Sequence, residues 1–133
     1  MFEIDFYEKK GKSEVRDFLE GLRIRVSKSK DARIQYEQVT TYIQLLAENG
    51  TKGLPISIAE HLEDGIWELR PGNNRVFFFY YDIGGRYVLL HHMRKKTQKT
   101  PRREIKQAKK EREDYIEQKE DESNDMGRLQ ERS

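Results

Sequence analysis

The chain has 133 residues, 35% hydrophobic and 11% aromatic, which gives room for one domain built on one core. It has no cysteine and only three histidines, none in an HxxxH or HExxH pattern, so disulfides and thiolate-bound metal are excluded and neither a metal nor a cofactor is expected. The net charge is only +2, yet the charges are sorted by sign. Lys and Arg dominate from Arg94 to Arg112, and Asp and Glu dominate from Glu113 onward. That arrangement suggests a polyanion-binding surface followed by an acidic, solvated tail. No apolar run approaches the roughly 20 residues that cross a bilayer, and MFEIDFYEKKGK lacks the order of a signal peptide. A cytoplasmic location without membrane attachment is expected.

In chain order, Phe2, Ile4 and Phe6 alternate with polar residues and read as a half-buried strand. Ser13 precedes a helical stripe of Val15, Phe18, Leu19, Leu22 and Val26. Asp31 precedes a second stripe, Ala32, Tyr36, Val39, Ile43 and Leu46, which ends at Asn49-Gly50. After the TKGLP loop comes a short apolar patch, Ile56 to Leu62, and then the strand-rich stretch WELRPGNNRVFFFYYDIGGRYVLLHHMR. Thr100-Pro101 starts a third helix whose sparse apolar positions, Ile105, Ala108, Tyr115 and Ile116, dock one edge. The order βααβββα predicts an α+β fold, an antiparallel sheet with the two N-terminal helices on one face and a C-terminal helix. The domain is expected over 1–118 and a charged, disordered tail over 119–133, where apolar content is too low to fold alone.

Strand register carries the functional reading. A two-residue Gly84-Gly85 hairpin would place Arg75 opposite Arg94, Phe77 opposite His92, Phe79 opposite Leu90 and Tyr81 opposite Val88. A four-residue loop, Pro71-Gly72-Asn73-Asn74, would set Arg70 opposite Arg75 and Glu68 opposite Phe77. Arg70, Arg75 and Arg94 then form one row. Like charges paired across strands are destabilising by up to about 1 kcal/mol, and an anion is the simplest reason to keep them. Arginine forks match phosphate, and Phe77 one row away offers a stacking surface for a base. On this register His92 shares the arginine face while His91 lies in the core; a one-residue slip would exchange them.

The ELRPGNNR block (Glu68 to Arg75) and the RKKTQKTP block (Arg94 to Pro101), with a helix after them, resemble the RelE/HigB toxin superfamily, most closely its HigB or phage Gp49-like branch. The resemblance reaches to about Gln118. It implies a microbial-RNase-like fold and a type II toxin that cleaves mRNA in the ribosome without a metal. It also implies a helix-turn-helix, HigA-like antitoxin as partner, through which alone operator DNA would be reached. Carried over by position, Arg75 and Arg94 match basic residues implicated in phosphate binding and catalysis. Ile66 and Glu68 stand where RelE-type members carry lysines, so a lysine base at those positions is ruled out. His92 becomes the candidate proton acceptor and Glu68 its competitor, Arg70 supports Arg75 and Arg94, and Lys95, Lys96, Thr97, Lys99 and Thr100 would hold flanking RNA. Two other readings share the fold: a ParE-like protein that poisons gyrase, and a catalytically silent phage-derived binding module.

Overall fold

The computed structural model describes residues 1–132, with side-chain surroundings for 1–126. The first strand, β1 (Glu3–Phe6), leads into α1 (Glu14–Arg25) and α2 (Lys30–Asn49). Ser13 caps α1 by accepting from the Arg16 amide, and Ser29 caps α2 in the same way from Ala32. Asp31, expected as the residue before the second helix, lies inside its first turn. Gly50 ends α2 at φ 68°, a conformation glycine adopts without steric cost. Then follow a short 3₁₀ turn (Thr51–Gly53), β2 (Ala59–Glu63), β3 (Ile66–Leu69), β4 (Asn74–Tyr81), β5 (Arg86–Arg94) and α3 (Arg102–Arg132). Among the described residues no helix is long and apolar enough to cross a membrane.

The fold is α+β, with five strands in the order β1-β5-β4-β3-β2. It departs from the expected all-antiparallel sheet, because β1 pairs with β5 in parallel. β2 is an additional strand, drawn from the end of the patch that the sequence marks only as apolar, and it pairs with β3. Both faces of the sheet are covered. On one, Val76, Phe78 and Leu89 are fully buried with Val15 of α1 and Val39 and Leu46 of α2. On the other, Ile66, Phe77, Val88 and Leu90 are fully buried with Ala108 and Tyr115 of α3, so that helix lies across a face and not along an edge. Burying each such large side chain is worth about 1.5–3 kcal/mol, which explains why sparse apolar positions on α3 suffice to dock it.

α3 continues past position 118 as helix to Arg132, where the sequence suggests a disordered tail; the last position of that tail, 133, lies outside the described residues. Polar bonds tie the helix down. The Tyr7 hydroxyl donates to Asp114 at 2.6 Å and the Tyr115 hydroxyl to Asp5 at 2.7 Å.

The β3–β4 register agrees with expectation: Glu68 faces Phe77 and Leu69 faces Val76. The β4–β5 register does not. Tyr81 pairs with Arg86 across a four-residue turn in which the Gly85 amide donates to the Asp82 carbonyl, with Gly85 at φ 64°. Relative to a two-residue hairpin this moves the pairing by two residues, which preserves the faces. A bulge then removes one step: Phe78 pairs with Leu89 but Phe77 with His91, leaving Leu90 as the extra residue. Residues 91–94 therefore occupy faces opposite to those expected.

Candidate active site

β3 carries Glu68 toward the α3 side of the sheet, and Arg70, two residues on, follows on the same face. The turn after it, closed by the Asn74 amide donating to the Pro71 carbonyl at 3.0 Å, returns the chain so that Arg75 joins them. Glu60 pairs with Glu68 from β2, and its Oε2 lies 3.3 Å from Arg70 Nη1. Thr100, at the end of the basic loop, donates its hydroxyl to the Glu68 carboxylate, 2.9 Å from Oε2 and 3.1 Å from Oε1. Beside these groups lies an open cleft of about 460 Å³ lined by Glu60, Glu68, Arg70, Lys99, Thr100 and Arg102 among others.

Glu68 is only 3% exposed. Burial is the largest influence on it and pushes its pKa above the ordinary carboxylate value, outweighing the Thr100 hydrogen bond and the charges of Arg75 and Arg70, which pull it down. A carboxyl held this way is a stronger proton acceptor than an exposed one. Arg75 is also buried, and its Nη1 donates to the carbonyls of Gly72 (2.9 Å) and Asn74 (2.8 Å). Burial lowers its pKa, opposed by the charge of Glu68. Arg75 thus fixes the turn and sets the field at Glu68, whereas Arg70 is the half-buried cation lining the cleft.

The expected arginine row does not form. Because of the bulge, Arg94 pairs with Asn74 on the helical side, where Arg94 Nη1 and Asn74 Nδ2 both donate to Gln35 Oε1 of α2 at 3.0 Å. His92 is displaced likewise: its ring stacks on Phe18 of α1 at 3.8 Å and its Nδ1 lies 3.2 Å from Glu14, away from Glu68. Phe77 is fully buried, tilted against His91 at 4.7 Å, and has no free face for a base. Lys95 is held by its amide to the Asn73 carbonyl, while Lys96, Thr97 and Lys99 are exposed along the loop, with Thr97 Oγ1 donating to the Lys99 carbonyl at 2.8 Å. Glu68, Arg70, Arg75, Lys99 and Thr100 therefore come together; His92, Phe77 and Arg94 do not join them.

His91 takes the inward place that the sequence assigns to His92, but under α3. Its Nδ1 lies 2.5 Å from Glu111 and its Nε2 2.8 Å from Glu104. Burial alone would suppress protonation, but the hydrogen bond and charge of Glu111, then the Glu104 bond, overcome it and raise the pKa. Spacing on α3 is the signal that could have found this pair: Glu104, Ala108, Glu111 and Tyr115 recur at helical steps of four and three. Glu60 was missed because β2 was not resolved as a strand.

Fold and cleft together define a small α+β protein whose two-sided sheet opens at one end onto a buried carboxylate, two arginines and a basic loop. The family model described as Phage derived protein Gp49-like (DUF891) matches residues 25–113, more than half of the chain, and the chain belongs to that family. The matched span contains Glu68, Arg70, Arg75, Arg94 and Thr100. Among solved structures, the chain is similar to one from the toxin-antitoxin complex RelBE2 of Mycobacterium tuberculosis. Identity is 15%, covering 71% of this chain and 98% of that one, with a TM-score of 0.46. No curated protein matches.

Proposed function

We propose that this chain is the toxin of a type II toxin-antitoxin pair and acts as an mRNA endoribonuclease on the ribosome. The observation that carries the reading is the buried Glu68 carboxylate, raised in pKa, bonded by Thr100 and lying beside Arg70 and Arg75 at an open cleft next to the exposed lysines of the 95–99 loop. Glu68 takes the proton of a ribose 2′-hydroxyl as O2′ forms a bond to the adjacent phosphorus. Arg70, at the cleft wall, stabilises the charge that accumulates on the phosphoryl oxygens, and Arg75 holds Glu68 and the turn in place. The bond from phosphorus to O5′ breaks, the departing oxygen takes a proton from solvent water, the resulting hydroxide is neutralised by the proton that Glu68 gives up, and the products are a 2′,3′-cyclic phosphate and a 5′-hydroxyl.

Lys95, Lys96, Thr97 and Lys99 hold flanking phosphates, with Arg94 at the far side of the loop. The partner that silences the chain is a helix-turn-helix antitoxin, as the sequence resemblance implies. Primer extension on mRNA after brief expression of the wild type and of Glu68→Gln tests the reading, run beside a gyrase supercoiling assay. New mRNA ends with the wild type alone are expected; intact mRNA together with blocked gyrase would replace the nuclease by a gyrase poison.

A further inference from the structure

Between the start of the chain and α3 lies a second cleft, of about 500 Å³, lined by Tyr7, Lys9, Lys12, Glu14, Lys110 and Glu111 among others. Its outer wall is a tight hairpin turn, Lys9-Lys10-Gly11-Lys12, closed by reciprocal backbone bonds between Lys9 and Lys12 at 2.9 and 3.1 Å. Lys10 sits at φ 53° and Gly11 at φ 77°. A lysine in the left-handed region costs on the order of 1 kcal/mol, so the turn keeps a third cation at a position where glycine would fit better.

The carboxylates of this cleft are already engaged, Glu14 facing His92, Glu111 bonding His91 and Asp114 accepting from Tyr7. The lysines are not. Among the described residues Lys9, Lys10, Lys12, Lys106 and Lys110 make no ion pair, and all are exposed. The contrast with the neighbouring stripe of α3 is direct: Arg102 and Lys109 pair with Glu63, and Arg112 pairs with Asp64. Lys106 and Lys110, with Arg103 before them at 3.6 Å from Glu104 but 80% exposed along its side chain, follow one another at steps of three and four, so they form one outward row about 10 Å long. That row begins at the residue after Arg102, which lines the first cleft, and ends at Lys110, which lines the second.

We propose that this row and the lysine turn form one continuous track for the sugar-phosphate backbone of an RNA strand whose scissile phosphate lies in the Glu68 cleft, a proposal that rests on the nuclease reading. Apart from Arg103 the cations of the track are lysines, which meet phosphates as point charges without base preference, and none of its residues is aromatic, so it positions RNA and does not read its sequence. Its continuity with the first cleft favours a single long polyanion over a separate acidic protein segment.

The test uses a labelled, 2′-O-methylated single-stranded RNA of about 20 nucleotides, which binds but cannot be cut, titrated across salt concentrations. Lys9→Ala, Lys12→Ala and Lys110→Ala combined should fold as the wild type does, shown by circular dichroism. The salt slope of log affinity should shrink by about 2, since each single-strand phosphate contact contributes about 0.7. An unchanged slope overturns the track, as does a wild type that does not bind the RNA. Tighter binding of a polyglutamate peptide, lost in the same variant, would also overturn it, in favour of an acidic protein segment. A wild type that binds the uncut RNA and loses slope in the variant, yet never cleaves mRNA on programmed ribosomes, would refute the nuclease reading and leave the track standing.

Discussion

Replacing Glu68 by Gln separates catalysis from stability in opposite directions. Gln cannot take the 2′-hydroxyl proton, and loss of a positioned base costs about 10²–10⁴ in rate, equivalent to about 3 to 5.5 kcal/mol of barrier. Glu68→Asp keeps the carboxylate but draws it back by one methylene, and a misplacement of about 1 Å costs on the order of a hundredfold. Stability should move the other way. The folded pKa of Glu68 lies above its ordinary value because burial dominates. The folded state therefore holds the proton more tightly than the unfolded chain, and this contribution is present at low pH and lost as pH rises through the folded pKa. Above the folded pKa the ionised Glu68 is a cost that Gln removes, while the Gln side-chain oxygen can still accept from Thr100. Cleavage rates on programmed ribosomes and thermal unfolding at acidic and neutral pH provide the assay. The expected result is an inactive Glu68→Gln that unfolds at a higher temperature than the wild type at neutral pH, with the gap closing in acid. An active Glu68→Gln, or one destabilised at neutral pH with the gap widening as pH rises, would refute the assignment.

The remaining expectations rest on the observed faces of the sheet. Arg70→Ala should lower cleavage by about 10²–10³, whereas Arg94→Ala, on the helical side with Gln35, should cost less than about tenfold, and equal losses would restore the arginine row. His91→Gln leaves Glu104 and Glu111 without their shared cation and should cost about 3 kcal/mol at about pH 6, measured by urea unfolding. Because the folded pKa of His91 is raised, its contribution is full below the ordinary histidine value and fades as pH climbs through the folded one, so the difference should shrink as the pH is raised. Phe78→Ala, at a fully buried position beside Trp67 and Tyr87, should cost about 3–5 kcal/mol and lower the unfolding midpoint in denaturant.

What could be read in advance depended on whether a local signal set the geometry. Pro71-Gly72-Asn73 announces a tight turn, and the facing of Glu68 and Phe77 follows from it directly. The two helical stripes at Val15 and Val39 follow from spacing alone. The far end of β5 was not legible, because Leu90 and His91 are two inward residues in succession and simple alternation allows only one. Nothing local in VLLHHMR marks the bulge; it is set by Leu90 packing under α3 and by His91 reaching Glu104 and Glu111, contacts 13 and 20 residues away along the chain. That one step exchanged His91 with His92 and separated Arg94 from Arg75. Phe77 was misread for a related reason: the face taken as open is covered by α3, whose own apolar positions are few but fall on one stripe. Glu68, Arg70 and Arg75 share a face as the β3–β4 turn, upstream of the bulge, requires, whereas the bond from Thr100 to Glu68 depends on how the loop into α3 folds back and has no local signal.

The most direct measurement of the central claim is the chemistry of the RNA ends. Attack by a 2′-hydroxyl whose proton goes to Glu68 leaves a 5′-hydroxyl on the downstream fragment. Cleaved mRNA from wild-type reactions should accept a 5′ label from polynucleotide kinase without prior phosphatase and carry a 2′,3′-cyclic phosphate upstream, and both signals should vanish with Glu68→Gln. Fragments bearing a 5′-phosphate and a free 3′-hydroxyl would mean that water is the nucleophile and would contradict the account.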